Sequence, residues 1–174
     1  AAILLGGLAR LDKQVKLRDA NAIYLNSLLA KIPGIKPMLR RPQITQQSYF
    51  NFAFRIDPEE LKITNKQFCS ALNAELGTGD AFEPPYEPLN ACGLYKPRTK
   101  RRYRLNDEYW KAIDPQRFQL PVSTEAFTRS GVVVHHVMLM NSRSVMDQVA
   151  EAVKKIVDNI SEVRKIKAET GRKY

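Results

Sequence analysis

Two adjacent histidines, His135 and His136, are the side chains of this sequence whose type best suits proton or hydrogen-bond chemistry near neutral pH. They interrupt the run Val132-Val133-Val134-His135-His136-Val137-Met138-Leu139-Met140, which is short, apolar and rich in β-branched residues and so reads as a buried strand. Strand neighbours point to opposite faces, which predicts that the pair cannot ligate one metal. A strand histidine is also commonly a packed, hydrogen-bonded residue of the core.

The other chemically capable residues offer less. Cys69 and Cys92 have neither CxxC spacing nor the dense pattern of a disulfide scaffold. Cys69 falls on a predicted helix as a small core residue, with no base nearby to make it a nucleophile. Gly6-Gly7 lies inside a predicted helix, where it weakens the helix and lets another backbone approach. No GxSxG, Walker A loop, HExxH, EF-hand loop or GxGxxG before a helix occurs, so no catalytic, cofactor-binding or metal-ligating residue is expected from local motifs.

Charge raises a different function class. The net charge is +10, with a sequence pI near 9.7. Lys96, Arg98, Lys100, Arg101, Arg102 and Arg104 follow one another with no acid between them. Tyr95, Tyr103, Tyr109 and Trp110 are interleaved with or follow that run, and aromatic platforms beside positive charge hold single-stranded nucleic acid. Residues 95–110 therefore define the alternative reading, a basic nucleic-acid-binding α/β module. A solvated loop explains the same run, and no RNP, KH or helix-turn-helix signature accompanies it. Nucleic acid is not the expected partner.

The elements that must position these residues are legible from period and punctuation. At 174 residues, 44% hydrophobic and 26% charged, the chain can build one domain with a real core. The histidine strand feeds a helix whose stripe is Val145, Val149, Val153, Ile156 and Ile160, with Ser144 as expected cap and Asp147 in the first turn. Leu4, Leu8, Leu11, Val15, Ala22, Leu25, Leu29 and Ile32 predict a long first helix with one apolar seam, stopped by Pro33-Gly34. That helix begins in mid-pattern, without methionine or cap, so the chain is expected to be cut from something longer.

A connector over residues 37–47 leads to a strand over 48–56, with Phe50, Phe52, Phe54 and Ile56 on the core face. Asp57-Pro58-Glu59 ends it. Thr64-Asn65-Lys66-Gln67 is a capping box for a helix that buries Phe68, Leu72 and Leu76 and closes at Gly77. Residues 77–120 are irregular and proline-rich, with a short helix over 106–113 anchored by Trp110; another helix is expected over 123–129, and the tail past Ile160 should fray. The sum is a two-layer α/β domain. Cysteine usage and the lack of a signal-peptide n-region point to a cytoplasmic location, and no apolar run reaches the roughly 18–20 residues of a membrane span.

The ordered pieces resemble a known family. Ala1-Ala2-Ile3-Leu4-Leu5 with Leu8, Arg10-Leu11-Asp12, Arg18, Asn21-Ala22 and Ile32-Pro33-Gly34-Ile35 are similar to the region after the cofactor lysine in DegT/StrS sugar aminotransferases. So are the Ser48-Tyr49 strand, Ala71-Leu72-Asn73-Ala74-Glu75 followed by Tyr86-Glu87-Pro88-Leu89, and the His135 strand running through Leu139 into a final helix. The match is most like the branch acting on cyclitols or aminobenzoate precursors.

The resemblance implies the C-terminal small domain of a fold-type I enzyme that uses pyridoxal phosphate. Residues 1–34 would be its linking helix, and 35–174 an α/β body with a small, mainly antiparallel sheet. It implies His135 and Tyr86 on the substrate side, a keto-sugar or keto-cyclitol substrate, and glutamate or glutamine as amino donor. The family's Schiff-base lysine and phosphate-binding residues belong to the large domain and match no segment here, so this chain alone is expected to be inactive and to bind no cofactor. An uncovered first helix would pair two copies into a homodimer. His136 stands where the family usually has a basic residue and Met140 where it has glycine, and the basic run has no family counterpart.

Overall fold

Phe52, Phe54 and Ile56 alternate with Ala53 and Arg55, and each of the three is 1% exposed, so one face of a single strand sets the floor of the core. The structure is a computed structural model that describes residues 2–94 and 106–166. The described elements are α1 (Ala2–Leu29), β1 (Ile35–Pro37), β2 (Asn51–Ile56), α2 (Pro58–Leu61), α3 (Asn65–Leu76), β3 (Phe82–Glu83), α4 (Asp107–Ala112), α5 (Pro121–Glu125), β4 (Gly131–His135), α6 (Arg143–Asp158) and α7 (Ile160–Val163). The strands form one antiparallel sheet in the order β1-β2-β4-β3.

Register sorts the side chains. Phe52 faces Val134 and Phe54 faces Val132, while Phe82 of β3 also pairs with Val134. These buried residues join Ala22, Leu25 and Leu29 of α1, Phe68 and Leu72 of α3, and Val149, Val153 and Ile156 of α6 in one cluster. The alternate positions, Lys36, Arg55, Ala53, Asn51, Val133, His135 and Glu83, belong to the other face. The result is the expected two-layer α/β architecture with a small antiparallel sheet and a long first helix.

Local signals explain most boundaries. The Thr64 capping box is present in full, and Gly77 takes a left-handed conformation at the end of α3. Asp57 accepts from the N–H groups of Glu59 and Glu60 and so caps the short helix α2. Two glycines are obligatory. Gly34 has φ +72 and lies so close to Leu61 that a Cβ would meet its Cδ2 at 2.7 Å. At Gly131 a Cβ would meet the Ala126 carbonyl oxygen at 2.7 Å and Pro85 Cγ at 2.8 Å.

The structure corrects several expectations. β2 begins at Asn51, and Phe50 is 66% exposed, outside the core. β4 ends at His135 because its partner ends there; residues 136–140 coil as a 3-10 turn, held by the Asn21 amide donating to the carbonyls of Leu139 and Asn141 at 2.9 Å each. Ser142, not Ser144, takes the position before α6, and Asp147 lies beyond the first turn, accepting the Tyr24 hydroxyl at 2.6 Å. The predicted stripe of that helix is split, because the chain breaks at Asn159 between α6 and α7.

The apolar seam of α1 is buried only in its second half, whereas Ile3, Leu4, Leu5 and Leu8 are exposed. No other backbone approaches Gly6 or Gly7: a Cβ added at either would meet nothing within 4 Å among the described residues. α4 forms where expected, capped by Asn106, but it buries no residue, so Trp110 is not a core anchor. The basic run from Lys96 to Arg104, with Tyr95 and Tyr103, lies outside the described residues, as does the tail 167–174.

Phe54 packs edge-to-face on Phe68 with ring centroids 6.0 Å apart. Phe54→Ala is expected to cost about 3–5 kcal/mol, read as a lowered denaturation midpoint. A midpoint equal to wild type would refute the assignment of the core face.

Candidate functional site

The last pair of the β2–β4 ladder, Asn51 with His135, marks the end of the sheet that the sequence points to. One step further the His136 N–H donates to the Phe50 carbonyl at 3.2 Å, after which the chain turns away. The same carbonyl lies 3.0 Å from His136 Nδ1. A carbonyl only accepts, so this contact places a proton on Nδ1. The two imidazoles lie 4.1 Å apart between centroids with 42° between their planes. They therefore do not point to opposite faces; the turn that begins at His136 brings the rings together.

His135 itself is exposed, and its side chain makes no hydrogen bond with the described residues. It is held instead by rings, His136 on one side and the edge of Phe50 on another, at 6.0 Å and 80°. Phe50 and Asn51 escaped sequence selection as site residues. The available signal was the register: the residue opposite a strand-end histidine and the aromatic beside it share its environment.

Tyr86 lies elsewhere. β3 pairs Phe82 with Val134 and Glu83 with Val133, so the chain runs back past Gly131, against which Pro85 is packed. Tyr86 follows, 75% exposed. The two predicted substrate residues thus sit at opposite ends of β4 and are not brought together by the described residues. At the Gly131 end, Arg55 is fixed by Ser130 at 3.0 Å and Glu125 at 2.8 Å.

Other chemistries find little support. No group of three His, Cys, Asp or Glu able to hold a metal occurs among the described residues. Every described lysine is exposed; Lys36 and Lys155, with side chains 62% and 63% exposed, pair with Asp57 and Glu75. None offers the enclosed amine that a pyridoxal cofactor needs, so the described residues do not fit that group. No described helix is long and apolar enough to cross a membrane.

Comparison with known proteins gives one answer throughout. The sequence profile of the DegT/DnrJ/EryC1/StrS aminotransferase family matches residues 1–154. An L-glutamine:2-deoxy-scyllo-inosose aminotransferase of Streptoalloteichus tenebrarius is 39% identical over 167 residues, covering 94% of this chain and 38% of that protein. The L-glutamine:scyllo-inosose aminotransferase of Streptomyces griseus is 33% identical over 164 residues, again covering 94% and 38%. The chain therefore spans under two fifths of the length of these relatives. In fold, it is similar to a crystal structure of 3-amino-5-hydroxybenzoic acid synthase, with a TM-score of 0.61 and 21% identity over 87% of this chain and 36% of the other.

Burial pushes the Cys69 thiol up to about 12 from an ordinary 9.0. Between those values the unfolded chain loses its proton while the folded one keeps it, so this group makes stability fall as pH rises through that window. In native protein near pH 8, a disulfide reagent is expected to label Cys92 and reach Cys69 only after denaturation. Rapid labelling of both thiols would contradict the burial.

Proposed function

The chain belongs to the DegT/DnrJ/EryC1/StrS aminotransferase family, and on that footing we propose that it is the substrate-side part of a longer pyridoxal-phosphate-dependent aminotransferase. The proposed reaction moves an amino group from L-glutamine to a keto-cyclitol such as 2-deoxy-scyllo-inosose. The observation that carries this reading is the end-to-end likeness, 39% identity across 94% of the chain, to a relative of that name. Residues 1–34 act as the linking helix and 35–174 as the body of a C-terminal small domain. The cofactor, which supplies the electron-accepting chemistry, is assigned to the rest of the longer protein.

Within this chain, His135 is the proposed substrate contact. Its ring is positioned by Phe50 and His136 yet keeps its nitrogens free of the described residues, so it can exchange a hydrogen bond with a cyclitol hydroxyl or keto oxygen. Tyr86, at the other end of β4, is proposed to contact substrate only when the longer protein closes around it. The free thiols of Cys69 and Cys92 accord with a reducing cytoplasm as the site of action.

The exposed apolar residues of α1 need a cover. In the chain on its own we assign that role to a second copy, giving a two-fold dimer through the first helix. Light scattering is expected to report a dimer that Leu5→Glu with Leu8→Glu converts to monomer. A wild-type monomer at high micromolar concentration would refute the pairing.

The function is tested in the longer protein that contains this chain, supplied with L-glutamine and 2-deoxy-scyllo-inosose or a related keto-cyclitol. Formation of the aminocyclitol is expected. His135→Ala should lower kcat/KM by about tenfold, the loss of one hydrogen bond, while sparing cofactor absorbance and melting temperature. No product from any keto-cyclitol would overturn the reading, and a parallel loss of stability and activity in the variant would make His135 structural.

A further inference from the structure

Beside the His135 end of the sheet, β1 stops early. Its last residue, Pro37, pairs with Phe54, so β2 continues for three residues with no strand on that side. The Phe50 carbonyl faces β4, and by alternation the main-chain groups of Asn51 and Ala53 turn toward the side β1 has left. The connector after β1 does not cover them as a strand would. It folds back on itself, with Arg40 donating to the Ile44 carbonyl, and leaves a recess of about 30 Å³ between α1, the connector and the edge of β2.

Met38, Leu39, Phe52 and Ala53 give that recess an apolar wall, and side-chain amides supply most of its polar groups. Asn26, Gln47 and Asn51 all border it, and no hydrogen bond of their side-chain amides occurs among the described residues. The Asn26 side chain borders the recess although its Oδ1 is buried and unpaired among the described residues. The one cation in the lining, Arg40, is already committed to both carboxylate oxygens of Asp19. Burial and the Asp19 charge raise the pKa of the neighbouring Tyr49 phenol, so it remains a neutral hydroxyl. What the recess presents is a few neutral donors and acceptors beside an apolar wall, with no free charge.

We infer that this recess is a subsite for a primary carboxamide, and specifically for the side-chain amide of free L-glutamine; the identity of that ligand rests on the aminotransferase reading above. A volume of about 30 Å³ holds on the order of two or three water-sized groups, which suits a carboxamide head and excludes a cyclitol ring. An amide can bond a strand edge and three side-chain amides in both directions at once, donating and accepting. A carboxylate cannot donate, finds no unpaired cation, and is brought beside Asp19. The recess thereby separates glutamine from glutamate by charge and by hydrogen-bond direction.

The test uses this chain, isotope-labelled, with the side-chain amide resonances of Asn26, Gln47 and Asn51 followed while acetamide, L-glutamine or L-glutamate is added. Acetamide and glutamine are expected to shift the three signals together and saturably, glutamate to do so about tenfold more weakly. Asn51→Ala should abolish the response; Gln47→Ala, in the connector, should weaken it if the Asn51 variant fails to fold. An equal response to glutamate, or shifts scattered outside the recess, would overturn the inference. Amino transfer from glutamine by the longer protein without any response at the recess would overturn the subsite alone. A response at the recess without amino transfer would keep the carboxamide site and overturn the enzymatic reading.

Discussion

The β2–β4 register is the constraint on which the rest of this structure depends. With Phe54 opposite Val132 and Phe52 opposite Val134, four buried side chains meet the helices. A slip of one residue would send Arg55, Ala53 and Asn51 into the core and expel the phenylalanines. The same register puts Gly131 against Pro85 and Ala126, where no larger residue fits, and so fixes where the segment entering β4 can lie. The Asn65 amide then donates to the carbonyls of Ala126, Phe127 and Gly131, at 3.2, 3.0 and 2.8 Å, and binds the start of α3 to the approach to β4. Register, turn and helix are one mutually consistent set.

Polar contacts of long sequence separation hold the remaining helices to that sheet. Asn21 draws the turn after β4 onto α1, the Tyr24 hydroxyl reaches Asp147 of α6, and Asp19 receives Arg40 from the connector. Asp19 and Asn21 are buried with their partners supplied, which is the condition under which polar groups are tolerated in a core. It also explains why α1 is buried from Arg18 onward with Arg18, Asp19 and Asn21 among its packed residues. Apolar periodicity alone would not select them.

How much of this was legible in the sequence follows from the range of each interaction. The Thr64 cap, the Gly77 stop and the alternation of Phe52, Phe54 and Ile56 are set within a few residues, and all were readable. The end of β4 was not, because the turn that follows it is held by Asn21, which is 118 residues away from Leu139 in the chain. Phe50 continues the period of its strand and so looks like core, yet the pairing that would bury it has already given way to the turn at His136. The histidine at the site was visible by type, whereas the unpaired amides beside it carry no motif. They become conspicuous only when the early stop of β1 uncovers the edge of β2.

The first helix runs unbroken from Ala2 to Leu29, but the body grips it only from Arg18 on. The stretch before the grip, residues 2–17, is a rod of about 24 Å at 1.5 Å per residue. Clamped at one end, such a rod is a lever arm: tilting the body by about 5° sweeps its tip through about 2 Å, comparable to the helix shifts by which proteins change state. Motion too slight to disturb the packing around Phe54 is thereby magnified at Ile3 and Leu4.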